Sequence, residues 1–362
     1  MKLNKIIQCL EEWAPPIYQE NYDNSGLMIG DKDCQINGCL ICLDCTESVV
    51  EEAINKKCNL IISHHPIIFG ELNSIDFSTW EGKVIGKAIK NNINIYSIHT
   101  NLDNVNDGVN KKICDILGLK KTKILVPKTG FSHKLEIYIP EKDKNVFLKK
   151  IYEIGAGHIG NYKECSFQNK GKGTYIPIEN SNPLIGNINK KEIIDEIKLE
   201  IFFDKKIKNT ILNIIEKYHP YDEVSYYITQ TSNPSKYVGS GMIGRRKIKF
   251  ETLLNELKKK FNKNSIRHTK KIKNEIIDIA VCGGSGSFLI GESIRNNADV
   301  YITSDLKYHD YFKSNNKIVL IDIGHYESEQ FTKELIFEYL SKKLINIALH
   351  LSNENTNPIK YF

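Results

Sequence analysis

Five side chains in this 362-residue sequence have the types and the placement to hold divalent metal ions: His64, His65, Asp103, His325 and Glu329. His64 and His65 are neighbours at the end of a predicted strand. Adjacent residues there point in opposite directions, so the pair suits two metals better than one. His325 and Glu329 are spaced i, i+4 at the start of a predicted helix and share a face. That pair offers one imidazole and one carboxylate to a single centre, and Asp103 adds a second carboxylate. Three imidazoles and two carboxylates can hold two divalent ions with the carboxylates bridging. Two such ions, about 3.5–4 Å apart, activate water and clamp a phosphate or carbonyl oxygen. Each cluster alone has an ordinary reading. A His-His pair is more often a surface or hydrogen-bonded pair than a ligand pair, and a lone His-x-x-x-Glu says less still. Their joint placement at three strand ends favours ligation, because ligands of open α/β sheets bind outside the carboxyl ends of strands.

His99, Asp305 and His309 form a second set of candidates. Asp305 and His309 are again i, i+4. These residues could orient the ligands or act as general acid and base. Equally, Asp305 could cap a helix and His309 sit on its surface.

Three other motifs carry weaker signals. Cys39, Cys42 and Cys45 form C-x-x-C-x-x-C, which resembles an iron–sulfur run. They lie in or beside an apolar strand with no fourth cysteine at close spacing, so buried thiols are expected. Gly239 to Gly244 satisfies G-x-G-x-x-G but lacks the preceding strand and following apolar helix of a dinucleotide site. Gly283 to Ser287 lies between a strand and a helix. Its amides could hold an anion, or it could be a tight strand-to-helix turn.

The elements that position these residues read as follows. Leu3, Ile6, Ile7, Leu10 and Trp13 mark an amphipathic helix that Pro15-Pro16 ends. A polar turn, Tyr22 to Gly26, precedes a strand over Cys39–Asp44. A helix at about 48–56 leads to strand Leu60–Ile62, and a helix at about 81–90 leads to strand Ile93–Ile98. The pattern changes near Pro127. Strand Lys134–Ile139, helix Asp143–Ile154, a Gly-rich stretch over Gly155–Pro177, strand Glu196–Phe203, helix Lys205–Tyr218 and strand Glu223–Ile228 suggest a ferredoxin-like α+β unit. Thr231 to Lys236 is a plausible exit linker. The last third returns to α/β, with strands Ile276–Val281, Val300–Thr303 and Ile318–Ile323 and a closing amphipathic helix. The expected fold class is α/β: two similar lobes, 1–126 and 236–362, forming one discontinuous domain around an inserted domain, 127–235.

Whole-chain features narrow the function classes. No run of about 18 apolar residues is present, so no membrane-spanning helix is expected. The N-terminus has acidic residues where a secretory signal is apolar. Nine cysteines, an odd number, fit reduced thiols better than a disulfide framework. A cytoplasmic protein is therefore expected. The net charge of +6 is modest, and the Lys-rich segment Leu257 to Lys273 holds a single Phe, Phe261, and no interleaved aromatic series. A solvated helix end and loop is favoured there over a nucleic-acid surface.

Taken together, the motifs resemble the Nif-three-like (NGG-interacting-factor) dinuclear metal-centre family, the GTP cyclohydrolase 1 type 2 homologues. The matching stretches are Asp23 to Gly30, Ser63 to Pro66, His99 to Asp103, Gly239 to Gly244, Val281 to Ser287, Thr303 to Asp310 and Asp322 to Glu329, in the family's order. Gly155 to Tyr162 and His219 to Val224 look like the family's long form, which implies a PII-like or CutA-like insertion. The resemblance places the metal ligands on His64, His65, Asp103, His325 and Glu329, between the lobes. It implies a toroidal homohexamer with the sites facing an inner cavity. The sequence departs from the family pattern at Ser304, where glycine is usual, and in the basic run Arg245-Arg246-Lys247; neither touches a proposed ligand. The implied activity is metal-dependent hydrolysis, with a metal-bridging hydroxide attacking and His99 or His309 moving a proton. The cyclohydrolase label implies opening of the GTP ring, within the wider class of small or phosphate-containing substrates. A non-catalytic metal chaperone, store or regulatory ring is the alternative, and a DNA-binding ring ranks last. Zinc is the first expectation for the two divalent ions, with iron, manganese, cobalt or nickel as alternatives.

Overall fold

A computed structural model describes residues 1–263 and 265–360. The chain divides into two compact units, Met1–Pro127 with Tyr237–Phe362, and Lys128–Lys236.

The first unit is built on two mixed sheets. The strands of the first are Gly26–Ile29 (β1), Gly38–Cys42 (β2), Leu60–Ser63 (β3), Asn94–Ser97 (β4) and the C-terminal Ala348–Leu351 (β15). Their order is β1-β4-β3-β2-β15, parallel except for β1. Every residue of β2, β3 and β4 is buried, as expected of parallel strands covered on both faces. The covering helices Glu47–Asn55 and Trp80–Lys90 start at Thr46 and Thr79, whose hydroxyls accept from the amides of Val49 and Gly82. Cys39, Cys42 and Cys45 are buried and free, and burial pushes their thiols up, so they are core residues.

The second sheet holds Lys120–Pro127 (β5), Gly239–Lys249 (β10), Arg267–His268 (β11), Glu275–Ser285 (β12), Val300–Ser304 (β13) and Val319–Asp322 (β14). Its order is β11-β14-β13-β12-β10-β5. β12, β13 and β14 are parallel, β10 and β11 run against them, and the edge strand β5 runs against β10. Two edge strands cross between the halves of the sequence: β5 joins the later strands, and β15 returns to pair with β2. Apolar patterning marks a strand but does not say which free edge it will take. The G-x-G-x-x-G run lies inside β10 rather than on a phosphate-binding turn.

The unit Lys128–Lys236 has one antiparallel sheet. Its strands are Ser132–Pro140 (β6), Phe167–Tyr175 (β7), Glu192–Asp204 (β8) and Tyr226–Gln230 (β9), in the order β7-β8-β6-β9. With the helices Lys144–Glu153 and Lys208–Tyr218 this is a β-α-β-β-α-β unit. Burial alternates along β6, placing Leu135, Ile137 and Ile139 in one core with Phe147, Ile151, Leu199, Ile201 and Ile211. β7 is exposed at seven of its nine positions, so the Gly-rich stretch carries no hydrophobic period to betray a strand.

The Lys-rich segment Leu257–Lys273, apart from Asn264, which lies outside the described residues, spends much of its charge internally. Lys260 pairs with Glu256, Lys263 with Glu327, Arg267 with Asp322, Lys271 with Glu251 and Lys273 with Asp299. Among the described residues, no helix is long and apolar enough to cross a membrane.

Candidate metal centre

The three candidate imidazoles are each held by the same ring atom. His64, at the end of β3, is fully buried, and its Nδ1 donates to Ile98 O at 2.8 Å. His65 Nδ1 donates to Asp44 Oδ1 at 2.7 Å. His325 opens the short helix His325–Glu329 directly after β14, and its Nδ1 donates to Asp305 Oδ2 at 2.6 Å. An oxygen acceptor on Nδ1 fixes the ring's orientation and leaves Nε2 as the free coordinating atom. The three Nε2 atoms converge on carboxylates. Glu329 Oε2 lies 3.0 Å from both His65 Nε2 and His325 Nε2, and Glu329 Oε1 lies 4.0 Å from His64 Nε2. Asp103, closing the helix Thr100–Asp103 that follows β4, brings Oδ1 to 3.7 Å from His64 Nε2.

These atoms form three donor sets, each within 4.8 Å: His65, His325 and Glu329; His64, Asp103 and Glu329; and His64, His65 and His99. Glu329 belongs to two of them. Among the described residues, His64 Nε2 and Asp103 Oδ1 are buried polar atoms with no hydrogen-bond partner. An unmatched buried acceptor costs about 1–3 kcal/mol. A divalent cation is the species that two converging lone pairs of this kind would satisfy, and the donor set of imidazoles and carboxylates suits one.

Electrostatics point the same way. Burial pulls His64 down to about 3, so the ring is neutral. Burial opposes a charge on His65, but its bonds to Asp44 and Glu329 outweigh that and raise it to about 9. His325 rises to about 11, against burial, through the charge of Glu329 and the bond to Asp305. Burial and the neighbouring Glu329 push Asp103 well up, whereas His325 and His65 hold Glu329 ionised in spite of its burial. Two imidazolium charges thus stand against the carboxylates of Glu329, Asp44 and Asp305, and a divalent cation would bring the same charge.

Metal uptake at pH 7 should therefore release about two protons per chain or more, with apparent affinity rising with pH. Calorimetry in two buffers of different ionisation enthalpy measures the number, and release below about half a proton would contradict it. The sign for stability is opposite. Both histidines have folded values above the ordinary one, so their contribution to the proton-filled chain is complete below about 6.5 and is lost as pH climbs through about 9 and then 11.

Close approach of backbone keeps Glu329 in place. Gly284 has φ +60°, and a Cβ there would come within 2.3 Å of Glu329 Oε1. Gly284→Ala should cost about 1–3 kcal/mol for the backbone strain. It should also weaken metal binding at least about tenfold by displacing the candidate ligand Glu329. Equilibrium unfolding and metal titration test both effects. The amides of Gly283 and Gly284 already donate to Asn110 Oδ1 and Ser328 Oγ, each at 3.0 Å. Both amides are thus taken within the end of β12.

The second set of candidates divides. His99 reaches the centre and its Nδ1 donates to Asp23 Oδ1 at 2.7 Å. Asp23 is buried and also accepts from the amides of Asn24 and Thr100 and from the hydroxyls of Ser25 and Thr100. Burial opposes ionisation of Asp23, but the hydrogen bond and charge of His99 and the bond from Thr100 hold it well below the usual carboxylate range. Asp305 sits behind His325. His309 is not brought to the centre: it is exposed and lies edge-on to Tyr308 and tilted against Phe312. The i, i+4 argument fails there because Asp305 has φ +55° and the chain turns before the 3-10 helix Tyr308–Ser314 begins.

His65, His99, Asp103, His325 and Glu329 line a cavity of about 370 Å³ together with the exposed Tyr22, Phe69 and Phe288, while His64 lies buried behind it. Sequence reasoning missed Asp23 and Asp44. Asp44 was open to detection, since it follows β2 just as His65 follows β3.

The fold and centre together define a mixed α/β protein with a buried histidine–carboxylate cluster able to hold metal. The profile of the Duf34/NIF3 (NGG1p interacting factor 3) family matches residues 1–358, and the chain belongs to that family. It is 35% identical over 368 residues to a Staphylococcus aureus (strain COL) protein named GTP cyclohydrolase 1 type 2 homolog, covering 100% of both chains. A Bacillus subtilis (strain 168) protein of the same name is 34% identical over 370 residues, covering 99% of this chain and 98% of the relative. Among solved structures, a Bacillus cereus protein related to NIF3 superposes with a TM-score of 0.86 at 30% identity, covering 100% of this chain and 99% of that one. Staphylococcus aureus protein SA1388 does so with a TM-score of 0.79 at 32% identity, with the same coverage.

Proposed function

We propose that the chain binds two divalent metal ions through His64, His65, Asp103, His325 and Glu329 and is a metal-dependent hydrolase. The observation that carries this reading is the position of Glu329, whose two oxygens face different donor sets. One holds His65 and His325, the other His64 and Asp103. When bound, such a pair of ions supplies water of lowered pKa and a Lewis-acid clamp for a phosphate or carbonyl oxygen.

The chain's own residues do the rest. Asp44, Asp305 and Ile98 O hold the three ligand rings by Nδ1, so their Nε2 atoms are set before substrate arrives. Asp23 holds His99 by Nδ1, leaving His99 Nε2 to take a proton from the attacking water and return it to the leaving group. Tyr22, Phe69 and Phe288 wall the cavity and limit solvent. The name shared by the relatives makes GTP the first substrate to try, and phosphodiesters and small amides follow from the chemistry of the clamp. Lys128–Lys236 fits a PII-like or CutA-like insertion through its β-α-β-β-α-β order, and a toroidal hexamer in the cytoplasm is the assembly proposed for the chain. Zinc is the first metal to try.

The test offers these three substrate classes to protein of measured metal content, beside a chelated control. Metal-dependent turnover supports the hydrolase. No turnover with full occupancy, together with metal transfer to an apo-enzyme, would replace it with a metal carrier.

A further inference from the structure

A second cavity, about 420 Å³, lies wholly within Lys128–Lys236, beneath the connection between β7 and β8. It is as roomy as the metal centre's cavity and chemically unlike it. Tyr138, Tyr175 and Tyr221 line it together with the half-buried Glu196 and the exposed Asp222 and Glu223. Among the described residues, no Lys, Arg or His lines it.

The donors of this lining are largely spent. Tyr138 OH donates to Glu136 Oε1 at 2.9 Å, Tyr175 OH to Ile185 O at 2.6 Å and Tyr221 OH to Glu196 Oε1 at 2.9 Å. Each hydroxyl therefore turns only oxygen lone pairs and ring faces to a ligand. Glu196 Oε2 is given room by Gly173, where a Cβ would come within 2.1 Å of it. Asp222 Oδ2 accepts from the amide of Asn182 at 3.0 Å, tying the β7–β8 connection over the cavity. Ile176 and Leu184, both substantially exposed, add an aliphatic wall.

Three aromatic rings and three carboxylates around one cavity select against anions and for a cation rich in N–H donors. The aliphatic wall suits a hydrocarbon stem. We infer that this cavity is a binding site for an aliphatic ammonium ion, its charged head between the tyrosines and Glu196 and its stem against Ile176 and Leu184. The site is separate in chemistry from the metal centre, and the inference does not depend on hydrolysis. The chain as a whole carries a net charge of +6, which disfavours diffuse cation binding and makes a local signal readable.

The test is calorimetric titration of the full-length metal-loaded protein with n-butylammonium, spermidine and, as the anionic isostere, butyrate. Both cations should bind and butyrate should not. Glu196→Gln should weaken butylammonium at least about tenfold, and Tyr221→Ala should do the same by removing a ring. Tyr221→Phe, which keeps the ring and leaves the fold least disturbed, should weaken it less than Tyr221→Ala. Metal content should be unchanged in all three variants. Absence of cation binding at millimolar probe, equal binding of butyrate, or full affinity in both Glu196→Gln and Tyr221→Ala would overturn the assignment. Spermidine binding without butylammonium binding would also overturn it, by showing charge attraction without a seat for the stem.

Discussion

Glu329→Gln is expected to lose at least one metal equivalent and to lower affinity for the remainder about 100-fold or more. Glu329 is buried and its oxygens serve two donor sets, so one neutral amide weakens both positions at once. The same change removes one of the two carboxylates that keep each of His65 and His325 protonated, leaving Asp44 and Asp305. Breaking a buried ion pair costs about 3–5 kcal/mol when the surviving charge is trapped. Here the rings can shed their protons, so the metal-free variant should lose about 3 kcal/mol at most. Denaturant unfolding in chelator measures that loss. Adding metal should stabilise native protein much more than the variant, because a ligand stabilises only in proportion to its affinity for the folded state. An unchanged metal shift of the unfolding midpoint would count against the role given to Glu329.

The second large effect concerns turnover and spares the metals. Asp23→Asn should lower the rate on whichever substrate the panel identifies by about 10²–10⁴-fold while metal content stays at the native level. Asp23 accepts from five groups, one of them His99 Nδ1. An amide in its place presents N–H donors to some of these, which favours the other His99 tautomer, with its proton on Nε2 facing the centre. Nitrogen NMR of the imidazole reports that tautomer directly, independent of catalysis. His99→Gln provides the parallel variant should Asp23→Asn prove too disruptive of the buried turn. Loss of metal in His99→Gln would make His99 a ligand rather than a proton carrier.

Much of this centre was legible in the chain because parallel strands leave a simple signature. Leu60–Ile62 and Ile318–Ile323 are apolar runs that stop abruptly at histidines, and a polar side chain at such a stop faces the open end of a sheet. The groups behind the candidate ligands were harder to see. Asp44 and Asp305 bond His65 and His325 across 21 and 20 residues, and Asp23 bonds His99 across 76. Pairings of that span are set by packing and not by any local period. His309 shows the reverse error. Its spacing from Asp305 suggested a shared helical face, and one left-handed residue at Asp305 cancelled it. In the fold, alternation revealed β6, whereas solvent-exposed β7 gave no comparable pattern. The exchange of β5 and β15 between sheets depends on edge complementarity that a single sequence does not express.

The central claim is that two metal positions share Glu329, and elemental analysis of metal-saturated protein tests it most directly. Native protein and His99→Gln should each hold about two divalent ions per chain, and Glu329→Gln about one or none. A saturated native protein holding a single ion, or a Glu329→Gln variant that keeps two, would contradict it.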